Sequence, residues 1–446
     1  MGRLYSVRVP LLGLAVGIVL ADSSIVTIAL PKILGRYEVD VETLAWTLTS
    51  FNLALGVAAL PAAFAARHRA KPVFAAGVLV FAVASVTCAI APSFDALVAA
   101  RAVQGVAGAA VVCAALDLLI GATGSEASAA RTWAFAGILG AALGPAAGGI
   151  LTQLLGWQSI FAVQVPLILL TAAVLLVTHA SASVQRPSRP DLAANAALVL
   201  VSGALVGALF LLVILLINVW RLPPLAAGLV VTLMPIAAIV AARFGRAIAP
   251  TWARAAAGVI LVSGGLAALA WLPGTRAAWT APPQLAVGAG LGLALSALTE
   301  RALVGRPSLA VQGGWTLAAR HAGVVLGLLL LTPIFAGDLD RSRDDALAAG
   351  TSFVLESRIS PLDKLAVARD VLVAVDDAKE EARVPDVRDA IGTHGDDPAF
   401  AELAESLQGE LDRAVTTAFS RAFLVAALLA LLAVIPILLQ RHEVDA

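Results

Sequence analysis

Residues 9–33 read VPLLGLAVGIVLADSSIVTIALPKI, a run of 25 residues in which Asp22 and Lys32 are the only charged side chains. A helix of this length is about 37 Å long, which exceeds the roughly 30 Å hydrocarbon core of a bilayer. Backbone N–H and C=O groups in lipid must be satisfied within the segment, so the run is predicted to be a transmembrane helix. Eleven further apolar segments follow, which predicts an all-α polytopic membrane protein with 12 transmembrane helices in two six-helix bundles.

The composition supports the same class of protein. Of 446 residues, 60% are hydrophobic and 13% charged, whereas soluble domains are about half apolar and about a quarter charged. This excludes a soluble enzyme and a nucleic-acid-binding protein. Cys88 and Cys113 both lie inside apolar runs, the five histidines show no metal-ligand spacing, and no phosphate-binding loop is present. We therefore predict no catalytic residue, metal or cofactor, and no enzymatic activity.

The loops between the spans indicate the orientation. The predicted spans are 9–33, 43–66, 73–92, 95–121, 132–153, 159–182, 193–219, 224–244, 254–273, 283–305, 309–336 and 417–440. Arg and Lys are concentrated in alternate loops, and the positive-inside rule places those loops and both termini in the cytoplasm. The basic residues are 26 Arg and 4 Lys, which is typical of a GC-rich bacterial genome, so we expect the bacterial inner membrane.

Two polar segments divide the chain. Residues 183–192 form a predicted cytoplasmic linker between a bundle in 1–182 and a bundle in 193–446, an architecture typical of secondary transporters. Residues 337–416 carry 19 acidic and 9 basic side chains, a net charge of −10, and are predicted to be a helical extracytoplasmic insert. Their apolar stripe, which includes Phe400 and Leu403, must close on itself or on an extracytoplasmic protein partner.

Three polar side chains lie inside apolar spans. Asp22 lies near the middle of the first span, where an unpaired carboxylate costs several kcal/mol and is by default functional. Arg101 and Gln104 lie in the fourth span, and a guanidinium at that depth needs acceptors, for which Asp22 and backbone carbonyls are the candidates. We interpret Asp22 as a proton-binding site. The alternatives are a static ion pair and an arginine that only holds helices together.

Four motifs carry a resemblance to a known family. They are LADSSIVTIALP, RAVQGVAGAA, GAALGPAAGG and GWQSIFAVQVPL in the first, fourth, fifth and sixth spans. In this order they resemble the major facilitator superfamily, in particular its drug:proton antiporter branches, and the similarity continues at 223–235 and 318–328. The third motif matches the antiporter motif of that family, with Gly140, Gly144, Pro145, Gly148 and Gly149.

The resemblance implies two bundles that alternately open a central cavity to either face of the membrane. It implies that Asp22 is the protonation site, that Arg101 influences coupling, and that Gly144, Pro145 and Gly148 form a gating hinge or seal. One departure concerns the loop between the second and third spans, where the family has a glycine, an aspartate and a second glycine. Here Ala62, Ala66 and Arg69 stand at those positions, which removes the aspartate of the usual cytoplasmic latch.

Candidates for the cavity wall or for helix contacts are the polar residues Asn52, Asp117, Asn218 and Arg320 and, again, Gln104. The leading hypothesis is a proton-coupled exporter of small amphipathic or lipophilic compounds, whose partners are protons, the substrate and the lipid bilayer. One alternative is an exporter of a lipid or lipid-linked molecule that uses the extracytoplasmic helices. Another is a membrane receptor or scaffold without transport, indicated only by the altered loop.

Overall fold

The fold was analysed in a computed structural model, which describes residues 7–176, 188–245, 250–303, 305–356, 360–380, 388, 391 and 398–444. Every regular element in these residues is helical. The α-helices are α1 (Arg8–Tyr37), α2 (Val41–Leu44), α3 (Trp46–Ala89), α4 (Phe94–Thr123), α5 (Glu126–Leu154), α6 (Ser159–Ala162), α7 (Gln164–Thr171), α8 (Leu192–Ile214), α9 (Pro224–Val231), α10 (Leu233–Gly245), α11 (Thr251–Leu269), α12 (Ala281–Leu303), α13 (Leu309–Glu356), α14 (Pro361–Glu380), α15 (Pro398–Leu432) and α16 (Val434–Val444). A 3₁₀ turn at Ala172–Leu176 extends α7, a π-turn at Leu215–Val219 extends α8, and a 3₁₀ turn at Ala277–Thr280 precedes α12.

Side-chain caps fix where several helices begin. Ser93, Ser125 and Asp191 each accept a hydrogen bond from the backbone N–H three residues later, at the starts of α4, α5 and α8. Such caps satisfy backbone donors that the first turn of a helix leaves free. The start of α8 at Leu192 coincides with the predicted end of the linker, of which residues 183–187 lie outside the described residues.

Eleven helical stretches of the described residues are long and apolar enough to cross a membrane. One of them, Val41–Ala89, covers two predicted spans and has non-helical backbone angles at Arg69. The parts of this stretch before and after Arg69 both lie along α4. Thr47, in the first part, accepts a hydrogen bond from Arg101 of α4. Ser85, in the second part, accepts one from Gln104, one turn further along α4. The multi-pass helical fold is therefore confirmed, whereas the count of twelve crossings stays a prediction.

The helices pack as two groups, the N-terminal bundle (α1–α7) and the C-terminal bundle (α8–α13, α15 and α16). The main contacts between them are α3 with α13 and α5 with α9. We call the side of the protein at which α8 begins the linker side and the opposite side the insert side. Asp191 at the linker side forms ion pairs with Arg301 (3.3 Å) and Arg306 (2.9 Å), which tie the linker to the C-terminal bundle.

The acidic insert continues helices of the C-terminal bundle. Helix α13 runs past the membrane span to Glu356, and α15 returns from Pro398. The predicted apolar stripe closes on itself, in a separate cluster of buried residues: Val354, Val367, Ile391, Phe400, Leu403, Ala404 and Leu407. Trp220 Nε1, at the end of α8 opposite to the linker, donates to Thr416 Oγ1 at 3.2 Å. The insert and the linker therefore lie at opposite ends of α8.

Candidate functional site

A completely buried ion pair joins α1 to α4. Arg101 Nη1 lies 2.5 Å from Asp22 Oδ2, and both side chains are 0% exposed. Removing either partner would leave an uncompensated charge in a low-dielectric interior, which typically costs about 3–5 kcal/mol. Asp22 is thus one of the candidate acceptors that the structure places beside Arg101. Backbone acceptors contribute as well, since Arg101 Nε donates to the Thr47 carbonyl oxygen at 3.0 Å.

Two glutamines extend the pair into a closed ring of four side chains. Arg101 Nη1 donates to Gln104 Oε1 at 2.6 Å, and Gln104 Nε2 donates to Gln164 Oε1 at 3.1 Å. Gln164 Nε2 then donates to Asp22 Oδ1 at 3.0 Å, which completes the ring. We call Asp22, Arg101, Gln104 and Gln164 the polar ring. It connects α1, α4 and α7 inside the N-terminal bundle.

The polar ring has a second layer of contacts. Gln104 Nε2 also donates to Ser85 Oγ at 2.8 Å, and the Arg101 guanidinium lies 4.3 Å from the centre of the Phe51 ring. Sequence analysis did not identify Ser85 or Gln164 as site residues. The available signal was a glutamine within the apolar stretch GWQSIFAVQVPL, because a buried amide also needs partners.

The glycine–proline motif of α5 presents two faces to two different neighbours. A Cβ added at Gly148 would lie 2.6 Å from the Ile25 carbonyl oxygen, and Gly140 and Gly144 likewise adjoin α1. These three positions are four residues apart and therefore share one face of the helix. They pack within the N-terminal bundle.

The second face of the motif meets the other bundle. A Cβ added at Gly149 would lie 2.7 Å from the Pro224 carbonyl oxygen, and one added at Gly228 would lie 2.5 Å from the Pro145 carbonyl oxygen. Helices α5 and α9 therefore touch through their backbones near the insert side. Of the motif positions, Pro145 and Gly149 lie at the contact between the bundles, whereas Gly144 and Gly148 do not.

A central cavity of about 160 Å³ lies between the bundles. Its wall is mostly apolar, with Ser23, Asn52, Arg320 and His321 among its few polar side chains. Asn52 and His321 link the bundles, because His321 Nδ1 lies 2.7 Å from Asn52 Oδ1. Asp22 does not line this cavity, although the next residue, Ser23, does and lies within hydrogen-bond distance of Asn52 (3.2–3.3 Å).

A second cavity of about 390 Å³ adjoins the central one on the linker side. It lies between the beginning of α5 and the ends of α10 and α12, and it shares Ile138, Leu295 and Arg320 with the central cavity. We call it the linker-side cavity. Together the two cavities form a recess between the bundles that the α5–α9 contact closes at the insert side.

The other candidates from the sequence occupy different places. Asn52 and Arg320 line the central cavity and Gln104 belongs to the polar ring. Asp117 is buried near the linker-side end of α4, and Asn218 lies in the π-turn after α8; neither lines the two cavities. At the altered loop, the bundles meet through small residues, because a Cβ at Gly314 of α13 would lie 2.6 Å from the Ala63 Cβ.

Comparisons with known proteins agree with these observations. Residues 12–329 match the family model of the Major Facilitator Superfamily. The multidrug resistance protein Stp of Mycobacterium tuberculosis is 32% identical over 198 residues, which cover 44% of this chain and 37% of Stp. The tetracenomycin C resistance and export protein of Streptomyces glaucescens is 34% identical over 204 residues, again 44% of this chain and 37% of the relative. The chain thus matches little more than a third of the length of each.

The fold also matches a solved transporter structure. A bacterial homologue of the human lysosomal transporter Spinster, in an inward-facing and unoccupied conformation, superimposes with a TM-score of 0.63 at 14% sequence identity, over 98% of both chains. At this identity the likeness concerns the fold. The family model, which covers well over half of the chain, carries the assignment, and the motifs of the first, fourth and fifth spans lie within it. The chain is a multi-pass membrane protein that belongs to the Major Facilitator Superfamily.

Proposed function

We propose that the protein is a proton-coupled secondary transporter that exports small amphipathic or lipophilic compounds by alternating access. Membership of a family of transporters, and relatives named for drug resistance and export, support the general class. The observation that carries proton coupling is the polar ring, in which the carboxylate of Asp22 is removed from water and held by the guanidinium of Arg101 and the amide of Gln164. Intramembrane acids of this kind are typical of proton pathways in transporters.

The ring offers a physical route from proton binding to helix movement. Protonation of Asp22 would remove the negative charge that offsets Arg101 and would turn one carboxylate oxygen from an acceptor into a donor. The contacts that hold α1 against α4 and α7 would then have to rearrange. Because Ser23 and Asn52 connect α1 to the cavity wall, a shift of α1 reaches the central cavity directly.

The cavity supports the proposed substrate class. Most of its wall is apolar, with a small number of polar side chains, which is the composition typical of small-molecule sites. The backbone contact at Gly149 and Gly228 supplies a closure on the insert side, as alternating access requires.

The test is transport by the Asp22→Asn variant in proteoliposomes with an imposed pH gradient and a fluorescent lipophilic dye as cargo. Asparagine keeps the size of the side chain but cannot bind and release a proton. We expect gradient-driven flux to fall to the background rate. The matched control is Asp338→Asn, which also removes a largely buried, arginine-paired carboxylate, one that contacts Arg421 at 3.5 Å outside the polar ring. Undiminished flux through Asp22→Asn would refute the role of Asp22.

A second candidate is export of a lipid or lipid-linked molecule. The observation that favours it is the insert, which has its own buried cluster and is braced on the C-terminal bundle by Trp220 and Thr416. Helices that extend from the insert side of the C-terminal bundle would shield a long apolar cargo from water on that side. Cargo-dependent effects of removing the insert distinguish the two candidates.

A further inference from the structure

One guanidinium stands where the two cavities meet. Arg320 of α13 lines both the central and the linker-side cavity and is partly exposed to them. Within the described part of the chain, Arg320 takes part in no ion pair. An arginine keeps its proton at physiological pH, so Arg320 places a permanent positive charge in the recess.

The remaining charged groups of the recess do not offset this charge. The described lining of the central cavity contains no Asp or Glu. Among the described residues that line the linker-side cavity, Glu300 is the one acidic side chain, and it pairs with Arg254 at 2.9 Å. Arg131 and Arg243 line that cavity too. The described lining of the recess therefore carries an excess of positive charge. Asp22, the acid of the polar ring, is already paired with Arg101.

We propose that the substrates of this recess are anionic amphipaths, molecules with an apolar body and a carboxylate, sulfonate or phosphate group that binds Arg320. This inference rests on the proposed transport function and narrows its substrate class. In a recess of low dielectric constant, a guanidinium binds an anion most strongly when the anion accepts two parallel hydrogen bonds from it. The apolar walls, among them Leu205, Leu209 and Val324, receive the body of the molecule.

The same charges disfavour cationic compounds. A cation in the central cavity would be close to Arg320 without a carboxylate in the described wall to hold it. Of an anion and a cation of equal size and hydrophobicity, the recess thus binds the anion more tightly. Arg320 is the residue that determines this specificity.

Binding to the purified full-length protein in phosphatidylcholine nanodiscs tests the proposal without requiring transport. The probes are 1-naphthalenesulfonate and 1-naphthylmethylammonium, which share an aromatic body and differ in charge, and equilibrium dialysis measures both. We expect the wild type to bind the sulfonate at least tenfold more tightly. Arg320→Gln should abolish the preference, a loss of about 1.4 kcal/mol or more, and Arg320→Lys should retain part of it.

Two controls make the result specific. Arg276→Gln removes an exposed guanidinium that lies outside both cavities and should leave the preference unchanged. Nanodiscs that contain phosphatidylglycerol show the source of the natural anion: displacement of the sulfonate indicates a lipid headgroup, and no displacement indicates a free amphipath.

Equal binding of the two probes by the wild type, or a preference that survives Arg320→Gln, would overturn the proposal. A charge preference without gradient-driven flux would instead contradict proton-coupled transport and leave the anion site standing.

Discussion

Replacing Gln164 with methionine tests whether the polar ring stabilises the charged carboxylate of Asp22. Methionine keeps the length of the side chain but removes the donor that lies 3.0 Å from Asp22 Oδ1. Gln104 keeps its bond to Ser85 at 2.8 Å, so the loss falls mainly on the carboxylate. A hydrogen bond to a charged group contributes about 1.5–3 kcal/mol.

The expected loss follows from the charge that the bond stabilises. In Gln164→Met the buried carboxylate keeps its ion pair with Arg101 but loses its amide donor. We expect the free energy of unfolding to fall by about 1.5–3 kcal/mol, measured by denaturant unfolding of the purified protein in detergent. In the Asp22→Asn background the same substitution removes a bond between neutral groups, so the loss there should be only about 0.5–1.5 kcal/mol.

The control is Gln284→Met, which removes another fully buried glutamine, one that donates to Thr280 at 2.9 Å in the C-terminal bundle. It removes a bond between neutral groups, so the free energy of unfolding should fall by only about 0.5–1.5 kcal/mol. Equal losses for Gln164→Met in the wild-type and Asp22→Asn backgrounds would refute the reasoning.

Two further predictions concern the closure and the insert. Gly149→Leu should reduce flux more than tenfold, because a side chain there would meet the Pro224 carbonyl oxygen. The control is Gly264→Leu, which should be neutral because a Cβ there meets nothing within 4 Å. Equal flux of both variants in proteoliposomes would contradict a closing role for the α5–α9 contact. Replacing residues 337–416 by a short flexible linker should impair release of lipid-like cargo and spare small soluble compounds in the same assay. Equal flux of every cargo would exclude a role in the exit path, and cysteine labelling of the insert from the cytoplasmic side would contradict the predicted topology.

The charged part of the site was predictable because burial of charge in a membrane requires a partner. Asp22 and Arg101 stood out as charges inside apolar spans, and the energetic penalty made Asp22 a candidate partner of Arg101 beside backbone carbonyls. Gln164 did not stand out, because a neutral amide is less costly to bury and the sequence does not show which helix faces another. The hydrogen bond to Asp22 spans 142 positions of the chain, and only the packing of α7 against α1 brings the two together.

Helical geometry alone assigns the positions of the glycine motif to two faces of α5. Positions 140, 144 and 148 recur every four residues, and positions 145 and 149 form a second row about 100° around the helix. This period predicts two faces with separate neighbours, although it does not identify α1 and α9 as those neighbours. The predicted spans 43–66 and 73–92 lie on either side of the kink at Arg69, whose backbone angles are not helical.

The altered loop has a structural counterpart in the way the bundles meet. On the linker side α13 approaches α3 and α4 so closely that added Cβ atoms at Gly314 and Gly313 would meet Ala63 and Leu116. On the insert side Gly149 and Gly228 bring α5 and α9 together in the same manner. Close packing of small residues supplies van der Waals contact without the desolvation penalty of a buried ion pair. The loss of the latch aspartate at Ala66 therefore does not leave the linker side without a contact between the bundles, since apolar packing at Ala63 and Gly314 provides one.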